Sequence, residues 1–156
     1  MDAIYSDAPA ARLRSQRKRV LIAEDDEELR WLLVSCFHDD GYRVEAVANG
    51  FALTDRILGV DARGLDLDLL VTDVQMPGIS GLDVVSGLRR RSTSTDLPVI
   101  LISAVADDET LASAAQLGAV LFEKPFDVDD LRTCAAVLLT RQGAHPPASG
   151  GESSPC

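Results

Sequence analysis

Five short apolar runs recur along the chain: VLIA at 20–23, RVEAV at 43–47, LDLLVT at 67–72, PVILIS at 98–103 and VLFE at 120–123. Each is nearly continuous and bounded by polar or turn residues, the pattern of a strand covered on both faces. Between them lie helical periods. Leu29, Leu32, Leu33, Cys36 and Phe37 recur at i, i+3, i+4, i+7 and i+8 and predict one apolar stripe, ended by Gly41. Leu131, Cys134, Ala135, Leu138 and Leu139 repeat the period near the far end, with Asp127 placed to cap that helix. Weaker helical patterns cover about 50–58, 81–91 and 107–117, the last closed by Gly118.

Strands alternating with helices pair in parallel through right-handed crossovers. The expected fold is therefore α/β: a doubly wound, five-stranded parallel sheet with helices on both faces, flavodoxin-like. Residues 1–18 form a basic extension without periodicity, and 141–156 are rich in Gly, Pro, Ser and Ala, so both ends read as flexible around one folded unit at 19–140. At 156 residues the chain fits one domain plus tails. The ~16 residues after Thr140 are too few for an output domain, which points to a stand-alone module without a DNA-binding domain.

Composition narrows the classes. The net charge of −10 argues against non-specific nucleic-acid binding by the body of the protein. ARLRSQRKR at 11–19 is a local exception with five basic residues, and it reads as a solvated flank ahead of an arm for an anionic partner. Cys36, Cys134 and Cys156 lack the spacing of a zinc site or a disulfide framework, and the first two read as core. His38 and His145 read as surface residues, and Trp31 as packing. With no membrane-span-length apolar run and no apolar signal region at the N-terminus, the expected location is cytoplasmic.

The chemistry gathers where the strands end. The first strand runs into Glu24, Asp25 and Asp26, the third into Asp73, the fourth into Ser103, and the fifth into Glu123, Lys124 and Pro125. In a doubly wound sheet these carboxyl ends share one edge, and ligands bind there at the point where strand order reverses. Clustered carboxylates repel one another and are stable mainly when a cation compensates them. Oxygen donors without His or Cys favour a hard ion such as Mg²⁺ or Mn²⁺. A lysine and a small hydroxyl add contacts for phosphoryl oxygens. Each residue alone has an ordinary structural use, and Asp26 reads as a helix cap; the combination describes a site that places phosphate on a carboxylate.

VLIAEDDEELR, DLLVTDVQMPGISGLDV, PVILISA and FEKPF, in this order over about 19–140, resemble the receiver domain of two-component response regulators. The resemblance implies that Asp73 is the phosphoacceptor and that Asp25, Glu24, Asp73 and the backbone carbonyl of Gln75 hold Mg²⁺. It implies that Ser103 and Lys124 contact the phosphoryl group and that the Lys124–Pro125 bond is cis. The implied partners are a histidine kinase or histidine phosphotransfer protein and a downstream protein target, with the chain monomeric or dimerising on phosphorylation. Two rivals are a pseudo-receiver that docks without phosphate chemistry and an aspartyl-phosphate hydrolase. The hydrolase needs a second acid two residues after the nucleophile, where this chain has Gln75. Leu121 stands where the family usually has Tyr or Phe, which puts the usual aromatic switch in question, and the 118–124 segment is one residue shorter than the common spacing. GVDARGLDLD at 59–68 makes a long connection with no evident chemistry.

Overall fold

The five apolar runs form β1 (Arg19–Ala23), β2 (Arg43–Val47), β3 (Leu69–Asp73), β4 (Val99–Ser103) and β5 (Val120–Glu123). In the computed structural model they make one sheet, every neighbouring pair parallel, in the order β2-β1-β3-β4-β5. The structure describes residues 17–59, 66–91 and 96–143. Most of the basic flank at 11–16, the middle of the 59–68 connection, His145 and Cys156 lie outside those residues.

Helices α1 (Glu27–Asp39), α2 (Gly50–Leu58), α3 (Gly81–Arg89), α4 (Asp108–Gln116) and α5 (Val128–Gly143) connect and follow the strands. Because side chains alternate across a strand, each central strand feeds two cores. Val20, Ile22, Leu69, Val71, Ile100 and Ile102 pack with Leu33 and Phe37 of α1 and Leu131, Ala135 and Leu139 of α5. Leu21, Leu70, Val99 and Leu101 pack on the other face with residues of α2, α3 and α4. Two-sided burial explains why β3 and β4 are buried at every position and read as continuous apolar runs.

The edges depart from that expectation. Arg43, Glu45 and Ala46 of β2 are exposed and β5 is only half-buried, because an edge strand has one neighbour and thinner helix cover. The α1 stripe also departs: Leu33 and Phe37 are fully buried but Leu32 is 47% exposed. Leu32 lies about 100° around the helix from Leu33, outside the buried arc. Cys36 and Cys134 are half-buried at the rim of the core. Trp31, expected to pack, is 56% exposed, with the Arg30 guanidinium 6.0 Å from its ring centroid.

Asp26 and Asp127 cap helices as the sequence predicts, and Asn49, Ser80 and Asp107 do the same at other helix starts. Asp26, Asn49, Ser80 and Asp107 each accept a hydrogen bond from an amide in the first turn of the helix they precede. Asp127 accepts from the Asp129 amide at 2.8 Å, as its place before α5 predicts. Gly118, at φ +67°, closes α4 by sending its amide to Ala115 while Ala119 bonds to Ala114. The 59–68 connection does have a structural use at its described end: the Asp68 carboxylate accepts the Arg19 amide at 2.8 Å, and Asp66 pairs with Arg19 and Arg56.

Gly81 fixes the distance between α3 and the end of β3. A Cβ there would lie 2.2 Å from the backbone oxygen of Asp73, so only glycine allows the approach. Gly81→Ala is expected to lower stability in urea unfolding by about 2 kcal/mol or more through forced displacement. Gly118→Ala meets no atom within 4 Å and should cost only the left-handed backbone penalty, about 1–2 kcal/mol. Equal losses would mean the steric argument at Gly81 is wrong.

Candidate functional site

Strand order reverses between β1 and β3: the chain leaves β1 toward β2 on one side and returns to β3 on the other. The carboxyl ends of these two strands carry Glu24, Asp25 and Asp73. Asp73 is the last residue of β3 and only 3% exposed. Its Oδ1 accepts the Gln75 amide at 3.0 Å, and its Oδ2 accepts from Lys124 Nζ at 2.7 Å. Both oxygens are therefore oriented.

The loop that follows is tied down at both ends. Val74 donates to Ile102 at 2.7 Å, Gly81 donates to Val74 at 2.9 Å, and Gly50 donates to the Pro77 carbonyl at 3.1 Å. The Met76-Pro77-Gly78 turn, with Gly78 at φ +96°, thus leads away from Asp73 along a fixed path. Asp25, Gln75, Met76, Ser80 and Asp83 line an open cleft beside it.

Glu24 directly follows β1 and has no exposed surface. Its Oε2 accepts the Asp26 amide at 3.0 Å. Its Oε1 lies 3.2 Å from Lys124 Nζ but outside hydrogen-bonding direction, so this buried oxygen has no hydrogen-bond partner. Burial is the main cause that lifts its pKa from 4.5 to about 7; the Asp26 amide opposes the shift, and the neighbouring Asp73 charge adds to it. Lys124 is desolvated too, but the hydrogen bond and charge of Asp73, with the charge of Glu24, outweigh this and raise its pKa. Lys124 is placed by β5, its amide bonded to the Ser103 carbonyl at 2.8 Å, and its bond to Pro125 is cis.

One oxygen from each of Glu24, Asp25 and Asp73 can lie within 4.8 Å of the others, with Asp25 exposed and the other two buried. Of the three carboxylates, Glu24 and Asp73 share the Lys124 ammonium, and one buried Glu24 oxygen lacks a hydrogen-bond partner. That donor set fits a hard divalent cation.

Ser103 does not join this contact network among the described residues. It is fully buried at the end of β4, donates to the Val105 carbonyl at 2.5 Å and accepts the Val105 amide at 3.1 Å. Leu121 packs on the core shared by α2, α3 and α4, whereas Phe122 belongs to the opposite core and meets Phe126 edge-on at 6.0 Å. Phe122 cannot substitute for an aromatic at position 121, because adjacent strand residues point to opposite faces. Two supporting residues escaped the sequence reading. Arg30 donates to the Glu24 carbonyl at 2.9 Å, and the buried Thr72 hydroxyl donates to the Asp73 carbonyl at 3.0 Å. Arg30 sits about one turn into α1, a spacing that flags no motif.

The response regulator receiver domain family matches residues 20–136. The chain belongs to that family. The transcriptional regulator NtrC of Escherichia coli K12 is 30% identical over 131 residues, 83% of this chain but 26% of NtrC, so the chain spans about a quarter of that relative. Sporulation initiation phosphotransferase F of Bacillus subtilis is 28% identical over 74% of this chain and 88% of its own length. Among solved structures, the chemotaxis response regulator CheY4 of Vibrio cholerae superposes with a TM-score of 0.67 at 25% identity, covering 79% of this chain and 99% of that one. The response regulator TrrA of Thermotoga maritima, in complex with Mg²⁺-BeF, gives 0.65 at 27% identity over 78% and 98%. The receiver is thus a phosphorylation-dependent signalling module with the flavodoxin-like fold read from the sequence.

The buried Glu24 carboxyl makes divalent-free stability pH-dependent. Its folded pKa exceeds the ordinary value, so the unfolded chain binds fewer protons between pH 4.5 and about 7 and stability falls as pH rises through that window. The Glu24→Gln variant lacks this loss. In EDTA, its denaturation midpoint should gain on wild type between about pH 5 and about pH 8; a gap that stays constant would contradict the assignment.

Proposed function

We propose that Asp73 is the phosphoacceptor, taking a phosphoryl group from the phosphohistidine of a histidine kinase or histidine phosphotransfer protein. The observation that carries this is a carboxylate held at the reversal point of the sheet, with both oxygens fixed by Gln75 and Lys124 and two further acids beside it. A carboxylate oxygen of Asp73 attacks phosphorus in line as the P–N bond to the donor imidazole breaks, and the imidazole keeps the bonding electrons and takes up a proton. Because that transition state is loose, the protein's work is positioning and charge neutralisation. Glu24, Asp25, Asp73 and the Gln75 carbonyl would hold Mg²⁺ or Mn²⁺, which supplies positive charge beside the phosphoryl oxygens. Lys124 neutralises another oxygen from the β5 side. The chain assists its own phosphoryl uptake and loss in this way and is a switch, with no separate substrate turned over.

The new acyl phosphate adds negative charge and acceptor oxygens near the end of β4. The Ser103 hydroxyl, now bonded to Val105, exchanges that carbonyl for a phosphoryl oxygen. The segment from Ala104 to Asp107 moves with it, and the altered surface binds a downstream protein. Leu121 rather than an aromatic lies on that face, so switching proceeds without a ring flip. The complete set of acids, hydroxyl and lysine favours this reading over a pseudo-receiver. Gln75 in place of a second acid disfavours a hydrolase. Among the described residues no helix is long and apolar enough to cross a membrane, and a cytoplasmic setting agrees with the partners proposed.

Intact-mass analysis after acetyl phosphate and Mg²⁺ should show one added phosphate on wild type and none on Asp73→Asn. Absence from wild type, or equal labelling of both, would refute the assignment. For the switch, Leu121→Ala should leave labelling intact and alter hydrogen exchange of β5 and α4 on phosphorylation; unchanged exchange would remove Leu121 from the response.

A further inference from the structure

The end of the sheet opposite Asp73 carries a basic depression that phosphoryl transfer does not use. Arg19 opens β1 and Arg43 opens β2, and the two are direct register partners on parallel strands. Their backbones are therefore about 4.8 Å apart and their side chains leave on the same face. Arg17, Arg19, His38, Tyr42, Arg43 and Glu45 line the depression, which encloses about 280 Å³.

Like charges this close cost free energy unless something compensates them, and the local acids are already engaged. Arg56 grips the Glu45 carboxylate with two bonds, at 2.8 and 2.9 Å. Asp66 is held by Arg19 at 2.6 Å and by Arg56 at 3.2 Å. These arginines hold both carboxyls below the usual range. Arg17 and Arg43 are exposed, and neither forms an ion pair among the described residues. A chain of net charge −10 thus concentrates two unengaged guanidinium groups, an imidazole and a phenol in one recess. Burial, with the charge of Asp40, raises the Tyr42 pKa and keeps its hydroxyl a donor.

We propose that this recess binds a small ligand carrying a diphosphate group. The planar forks of Arg17 and Arg43 match pairs of phosphate oxygens, and the Tyr42 hydroxyl and His38 imidazole add donors at the wall. The volume is near the lower end for small-ligand pockets, which suits a free diphosphate or a mononucleotide. A long nucleic acid is disfavoured by the acidic remainder of the molecule.

The test uses the full chain in EDTA at low salt, with calorimetric titration of pyrophosphate and of ADP. Saturable binding that weakens with added salt is expected, and about tenfold or greater loss in the Arg17→Glu/Arg43→Glu double variant. That variant should still be labelled on Asp73 by acetyl phosphate and Mg²⁺, which reports its fold. ADP binding tighter than pyrophosphate would support a nucleotide, with the base on the Tyr42 ring; equal binding would support the diphosphate alone. A second measurement needs no variant: amide shifts on titrating pyrophosphate into wild type should centre on Arg17, His38, Tyr42 and Arg43. No saturable binding, undiminished binding in the double variant, or shifts centred on Lys124 would overturn the proposal.

Discussion

A single ammonium set among three carboxylates is the constraint on which the rest of the molecule depends. Lys124 reaches Asp73 at 2.7 Å and Glu24 at 3.2 Å, so one positive charge is divided between two buried acids while Asp25 stands at the rim. Removing carboxylates from water is costly, and an incompletely matched cluster pushes one of them toward its neutral form. The buried member that yields is Glu24, whose pKa rises to about 7. The unmatched charge is what prepares the site for a divalent cation and then a phosphoryl group, whereas a fully balanced cluster would have less affinity for either.

The fold supplies what that constraint requires. Residues from β1, β3 and β5 meet only because parallel strands place all their carboxyl ends on one edge, with α1 starting beside Glu24 and α3 pressed against Asp73 through Gly81. The two-sided core makes the edge rigid, since the central strands are buried throughout. The mobile element in the proposal is the end of β4, where the Ser103 hydroxyl is satisfied locally by Val105.

The central strands were legible because burial on both faces leaves continuous apolar runs, and the Asp26 and Asp127 caps because an Asp just before a helix has one dominant use. Strand ends carrying acids, hydroxyl and lysine were legible as a group, since the topology rule joins residues distant in sequence. The exposure of Leu32 and Trp31 was not, because periodicity gives the direction of a helical face and not its width. Nor was the local engagement of Ser103, which depends on the rotamer of one side chain, or the support from Arg30, which needs the three-dimensional path of α1 over the Glu24 carbonyl. The use of Asp66 and Asp68 was hidden for a related reason: their partners are distant residues on β1 and α2.

Calorimetric titration of Mg²⁺ into the chain near pH 7, repeated in buffers of different ionisation enthalpy, tests the central account most directly. A cation entering the cluster must displace the proton that Glu24 holds in part at a pKa of about 7. The account predicts saturable binding with a fraction of a proton released near pH 7, falling toward zero by about pH 9. Saturable binding with no proton release near pH 7, or no binding at all, would contradict it.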